Sequence, residues 1–375
     1  MLSYWEKTSF QHYDIAVIGG GITGLSTAIS IKENMREANV VVIERGILPT
    51  GASTKNAGFA CFGSPSELLS DIGNFGEDEA LNLVTKRWTG LKKLRERLGD
   101  TRIGLEIKGG YELLGKKELK TLEGIDYLND WLWPLFESNV FEAKTGFVSQ
   151  ANLNPNSFEA AIYNPFEGQL DTGKLMKALQ NYAQMLGITL LTGTEVLDLM
   201  EDDHEVALRL KSDECKVEIL ANQVAICTNA FSKKFVDNID MQPGRGTVIV
   251  TEPIEDLKLS GTFHYDEGYY YFRDVDGRML LGGGRNQDFE TEQTTEIEIN
   301  KMIEAHLKEF LFEKILQKEV KIEMAWSGIM AFGPSKSPVI KRTSPGVVIG
   351  ARLGGMGLAL GTLVGEEVAA LLLNK

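Results

Sequence analysis

The 375-residue sequence predicts an α/β protein, a parallel sheet covered by helices and joined to an α+β region built on antiparallel strands. Three observations predict it. Residues 14–19 (DIAVIG) form a short apolar run rich in β-branched side chains. It passes through glycines into a helical period and on to a second apolar run at 40–43 (VVVI), which together make one βαβ unit. Far downstream, residues 268–273 (GYYYFR) and 278–281 (RMLL) flank Asp276-Gly277, a hairpin signal. The length suits two domains or one large one, at roughly 100–200 residues per domain.

Each part of the first unit has a physical task. Gly19 permits the tight turn out of the strand, Gly21 offers no Cβ to an approaching pyrophosphate, and Gly24 lets the helix pack closely on the sheet. Ile22 and Thr23 open the helix, where free N–H groups and the helix dipole favour phosphate. Glu44 ends the second strand twenty residues after Gly24, where a carboxylate accepts hydrogen bonds from ribose hydroxyls. Strand, glycine turn, helix and acid together predict a Rossmann-type dinucleotide site.

The glycine motif does not separate FAD from NAD. Residues 51–59 (GASTKNAGF) form an irregular, small-residue stretch with Ala52, Ser53, Asn56, Ala57 and Gly58, where an NAD domain would proceed to another helix. A flavin protein needs such a loop beside the diphosphate and ring system, and a plain surface loop is the alternative reading.

Composition excludes several functions. With 39 basic and 53 acidic residues the net charge is −14, so the chain has no general attraction for nucleic-acid phosphates. Cys61, Cys215 and Cys227 form no paired spacing, and His12, His204, His264 and His306 are scattered, so neither a disulfide framework nor a metal centre is expected. The opening residues are polar and charged, unlike a signal peptide, and the apolar stretch 353–365 is too short to span a bilayer. The expectation is a soluble cytoplasmic protein without a nucleic-acid or membrane partner, its oligomeric state open. Residues 77–100 and 116–136 read as amphipathic helices, the first with Trp88, Leu91, Leu94 and Leu98 on one face, and 293–316 as a charged amphipathic helix.

GGGITG, VVIERG and GASTKNAG together resemble the D-amino-acid oxidase superfamily of FAD-dependent amine and amino-acid oxidoreductases. Further segments resemble the family in order: 167–175, 193–197, 224–230, 243–246, 280–284 and 355–361. The opening Ser3-Tyr-Trp5 and the GASxxNAG loop look nearest to the γ-glutamylputrescine-oxidase and glycine-oxidase-like branch. The resemblance implies an FAD-binding domain from 1–76, 146–235 and 327–375, and a discontinuous substrate domain from 77–145 and 236–326. It places Arg45 beside Glu44, Val196 at the adenine, Thr228 and Asn229 beneath the dinucleotide, and Gly355, Met356, Gly357 and Leu358 near the flavin pyrimidine. Relatives that attach flavin covalently use a Cys or His at places where this chain has neither, so non-covalent FAD is expected.

The implied reaction removes a hydride from a carbon bearing an amine and passes it to the flavin, with imine hydrolysis afterwards. Reoxidation by oxygen would give peroxide. A dehydrogenase passing electrons to a quinone or carrier protein and a flavin protein without turnover are the alternatives. In the aromatic run, alternation sends Tyr269 and Tyr271 to one face and Tyr270 and Phe272 to the other. The resemblance favours Tyr269 or Tyr271 as substrate-facing. The family's carboxylate-clamping arginine is replaced by Met330. Either the substrate, a small amine or amino acid, lacks an α-carboxylate, or Arg352 or Arg273 serves instead.

Overall fold

The computed structural model describes residues 3–202, 204–213 and 215–374; Met1, Leu2, Asp203, Glu214, Lys375 and the side chain of Cys215 lie outside the described set. His12–Ile18 and Val40–Ile43 run side by side in an eight-stranded sheet, buried on both faces as their unbroken apolar runs require. The order across the sheet is Val339–Ser344, Val347–Ala351, Cys215–Ile226, His12–Ile18, Val40–Ile43, Thr189–Leu191. All but the first of these are mutually parallel. Val206–Ser212 and Glu195–Glu201 extend the sheet antiparallel beside Cys215–Ile226. Alternation divides the core between the two faces: Ile15 and Val17 join the cluster under the helices, Ala16 and Ile18 the cluster on the opposite side. The helix Ile22–Asn34 is buried from Ile22 through Ile31 because it is wedged between this sheet and the last helix, Gly357–Leu372.

A second eight-stranded sheet has the order Ile322–Phe332, Gln242–Thr251, Arg278–Gly283, Tyr270–Val275, Thr262–Tyr265, Gly110–Leu114, Ala160–Asn164, Glu142–Lys144. It is antiparallel except where Thr262–Tyr265 meets Gly110–Leu114. The expected hairpin is present, with Val275 opposite Arg278. Asp276 and Gly277 both take positive φ (47° and 72°), the twist a two-residue connection needs.

Some expectations need correction. Ala160–Asn164 falls in a range assigned above to the FAD-binding domain, yet it pairs residue for residue with Gly110–Leu114 in the antiparallel sheet. Ile322–Phe332 runs through the expected boundary at 326/327, because it pairs along the length of Gln242–Thr251. The helix expected over 293–316 starts late, at Lys301–Glu309, and continues as a π-helical turn, Phe310–Leu316. Asn300 sets the start by accepting from the N–H groups of Met302 and Ile303. The expected 77–100 helix is Glu77–Leu98, burying Leu91, Leu94 and Leu98 with Trp88 packed alongside. The 116–136 region splits into a 3₁₀ stretch, Leu119–Gly124, and a helix, Ile125–Phe136. Among the described residues no helix is long and apolar enough to cross a membrane.

Candidate active site

The glycine turn opens one end of a cavity of about 680 Å³. Gly19, Gly21, Ile22 and Thr23 line it, and the Ser53 hydroxyl accepts from the Ile22 N–H at 3.0 Å. Gly24 does not line the cavity. A Cβ there would lie 1.9 Å from the Gly19 carbonyl oxygen, so its task is the close packing of helix against strand end. Glu44 is buried, and its two oxygens accept from Gly20 N (2.9 Å), Gly46 N (3.0 Å) and Thr50 Oγ1 (3.2 Å). These bonds fix the carboxylate at the cavity wall, with lone pairs left for a ribose. The exposed Arg45 stacks its guanidinium 4.0 Å from the Phe231 ring centroid and also lines the cavity.

The 51–58 loop is knitted by one amide. Asn56 Nδ2 donates to the carbonyls of Ala52 and Ser53, and Asn56 Oδ1 accepts from Gly58 N at 2.9 Å. Ala52, Ser53, Asn56, Ala57 and Gly58 therefore present a fixed small-residue wall rather than a loose surface loop. Val196, Thr228, Asn229, Gly355, Met356, Gly357 and Leu358, drawn from distant parts of the chain, line the same cavity. Gly21 illustrates the fit to a dinucleotide: a Cβ there would stand 2.8 Å from Ser53 Oγ and narrow the space left for a diphosphate. The Cys61 thiol, also at the cavity, is buried, and burial pushes its pKa well up.

At the far end the strand alternation holds. Tyr270 and Phe272 are core, while Tyr269 and Tyr271 line the cavity. Tyr271 lies across its cross-strand partner Gly282, where a Cβ would come within 2.3 Å of the ring. Burial pushes the Tyr271 phenol to about 12, so it stays protonated at neutral pH. Met330 lines the cavity beside the glycine loop and brings no guanidinium.

Neither expected substitute arginine serves. Arg352 is not among the residues that line the cavity. Its side chain donates to Ser337 O, Asp240 O and Ser335 Oγ at 3.0–3.1 Å, holding the loop after Phe332. Arg273 is buried and donates to the carbonyls of Leu170 (2.9 Å) and Gly58 (3.3 Å), bracing the 51–58 loop from behind. Sequence reasoning missed the cavity-lining Arg285, Lys336, Glu67, Asp71 and His264. An arginine directly after three glycines was a usable signal for Arg285. The others meet only through folding.

Lys336 bridges Glu67 Oε1 (2.8 Å) and Asp71 Oδ1 (2.6 Å). Burial opposes ionisation of Glu67, but Arg87 and Lys336 outweigh it and hold the carboxyl at about 2. His264 Nε2 meets Glu167 Oε2 at 2.8 Å. Burial works against its protonation, yet Glu167, with Glu112 and Glu67 behind it, raises its pKa. A raised histidine pKa stabilises the fold fully below the unfolded value, about 6.5, and that contribution is lost as pH rises through the folded value. The stability gap between the parent and His264→Gln is therefore expected to be largest near pH 6 and to shrink steadily toward pH 9. Urea unfolding across that range checks it, and a gap that widens with pH would refute the charged pair.

The chain's residues 14–371 match the family described as FAD dependent oxidoreductase, DAO. The chain is 23% identical to the probable oxidoreductase OrdL of Haemophilus influenzae, over 98% of this chain and 84% of that protein. It is 23% identical to gamma-glutamylputrescine oxidoreductase of Escherichia coli, over 96% and 83%. Among solved structures, glycine oxidase from Geobacillus kaustophilus superposes with a TM-score of 0.75 at 22% identity, covering 97% of this chain and 95% of that one.

Proposed function

Because the chain belongs to the DAO family of FAD dependent oxidoreductases, we propose that it oxidises a C–N bond of a small amine or amino acid, with imine hydrolysis afterwards and oxygen as the final acceptor. The observation that carries this reading is the continuity of the cavity. One volume runs from the glycine turn and Glu44 to Tyr269, Tyr271 and Met330, so a dinucleotide and a small substrate share it end to end. The names of the relatives, which act on γ-glutamylputrescine and glycine, support the substrate class.

Bound in this cavity, FAD supplies the hydride acceptor. The chain's own residues bind and orient. Glu44 would accept from the ribose hydroxyls, the Thr23 N–H and the Ser53 hydroxyl held by the Ile22 N–H would meet the diphosphate, and the 51–58 wall and the Gly355–Leu358 turn would flank the ring system. Arg45, Val196, Thr228 and Asn229 complete the adenosine end. At the substrate end, the buried Tyr271 offers a protonated hydroxyl. The buried, protonated Cys61 thiol makes a poor nucleophile, which favours dissociable FAD. The free thiols of Cys61 and Cys227 suit a reducing compartment such as the cytoplasm. The two sheets divide the work, the parallel one holding the coenzyme and the antiparallel one walling the substrate.

An anaerobic screen of amines, N-methyl amino acids and D-amino acids, read by loss of the flavin absorption, tests the proposal. Rapid bleaching by at least one compound is expected, followed by recovery of colour with release of peroxide on admitting air. Bleaching without recovery would move the assignment to a dehydrogenase. No bleaching by any amine would leave a flavin protein without this chemistry.

A further inference from the structure

We propose that Arg285 is the anchor for a carboxylate on the substrate, which narrows the substrate class to amines that carry a carboxylate; this rests on the amine-oxidation reading above. Three observations at the substrate end converge on it. The strand Arg278–Gly283 leaves its sheet through Gly283 and Gly284, both with positive φ, and this turn brings Arg285 to the cavity wall alongside Tyr269, Tyr271 and Phe332. The guanidinium carbon stands 3.9 Å from the Phe332 ring centroid and 4.9 Å from that of Phe289, so aromatic faces hold the plane in place without using its donors. Among the described residues no acceptor hydrogen-bonds that guanidinium and no carboxylate lies within 4.0 Å of it; Glu292, nearby, is engaged by Arg245.

The contrast with the other arginines decides the reading. Among the described residues the guanidinium groups of Arg36, Arg45 and Arg102 also have no hydrogen-bond or ion-pair partner, but all three are exposed, so hydration carries no penalty there. Arg273 and Arg352 spend their terminal nitrogens inside the protein, Arg273 Nη1 on the carbonyls of Leu170 and Gly58, Arg352 on the carbonyls of Ser337 and Asp240 and the Ser335 hydroxyl. Arg285 alone is partly withdrawn from solvent, faces the cavity and has no acceptor among the described residues. Burial disfavours its charge, lowering its pKa, more than the distant Tyr269 and Glu292 favour it. A planar fork with every donor free matches a carboxylate bidentately. Met330 leaves the place that an arginine would otherwise occupy to an apolar thioether, so no second guanidinium competes for the same group.

Benzoate and its amide, benzamide, test this on the FAD-loaded protein by equilibrium dialysis of radiolabelled probe, together with the flavin difference spectrum. Benzoate is expected to bind the parent, and Arg285→Met to weaken it by about 100-fold or more (~2.7 kcal/mol). Arg285→Lys, which keeps the charge but not the fork, should weaken it by roughly tenfold. Benzamide binding should be unchanged in both. Should the methionine variant fail to retain FAD, the lysine variant decides. Equal benzoate affinity in parent and variants, or no benzoate binding by a parent that amines still bleach, overturns the role of Arg285 and leaves the amine-oxidation reading standing. Failure of every amine to bleach the parent overturns that reading instead, whatever benzoate does.

Discussion

Gly24→Ala is expected to yield a folded but nearly colourless protein, with FAD affinity reduced by about 100-fold or more, roughly 3 kcal/mol. The new Cβ would sit 1.9 Å from the Gly19 carbonyl oxygen and 3.3 Å from Val17 Cγ1. Neither neighbour is the free end of a long side chain. Gly19 belongs to the turn itself, and Val17 is fully buried in the strand that feeds it. The helix must therefore lift from the strand end by more than an ångström. That lift carries with it the Thr23 N–H and breaks the 3.0 Å bond from the Ile22 N–H to the Ser53 hydroxyl, which ties the helix start to the 51–58 wall. Phosphate binding at a helix start depends on those donors pointing at one place, so a displacement of this size removes most of it. Gly73→Ala is the control. It sits exposed in the helix Pro65–Phe75 with nothing within 4 Å of a new Cβ, and should keep its flavin and gain slightly in stability. Flavin content after purification, FAD titration and far-UV circular dichroism read the result. A bright yellow Gly24→Ala protein would show that the helix start is not the phosphate site.

The same geometry shows what sequence reading reaches. The βαβ unit is local: strand, turn, helix and Glu44 lie within about thirty residues, and each constraint acts between near neighbours in the chain. The aromatic alternation was legible for a related reason, since a strand's period of two is fixed by its backbone and needs no knowledge of its partners. Side-chain destinations were not legible. Arg352 precedes the glycine loop in sequence, but it takes a positive φ of 63° and its guanidinium donates to the Ser337 carbonyl and the Ser335 hydroxyl. Arg273 ends up among carbonyls 103 and 215 residues away in sequence. Lys336 meets Glu67 across 269 residues, a contact no local pattern encodes. Ala160–Asn164 was misplaced for the same reason: only tertiary pairing says which sheet it joins.

Arg245→Met is expected to destabilise the protein by roughly 3–5 kcal/mol through Glu292 rather than through the arginine itself. Both side chains are almost fully removed from solvent, at 2% and 0% exposure. Arg245 Nη2 donates to Glu292 Oε1 at 2.7 Å and Nε reaches both oxygens at 3.1–3.2 Å, while Arg245 N donates to Glu292 O at 2.8 Å. The pair thus pins the irregular 291–300 segment onto Gln242–Thr251, the strand whose Gly246 and Val248 line the cavity. Remove the guanidinium and, among the described residues, the carboxylate keeps only the Asn300 amide, at 3.1 Å. It must then stay charged and unpaired or take up a proton. Adding Glu292→Gln to Arg245→Met should recover much of the loss. Urea unfolding of the parent and both variants measures this. If the double variant is no better than the single one, the loss comes from missing arginine packing and not from a stranded carboxylate.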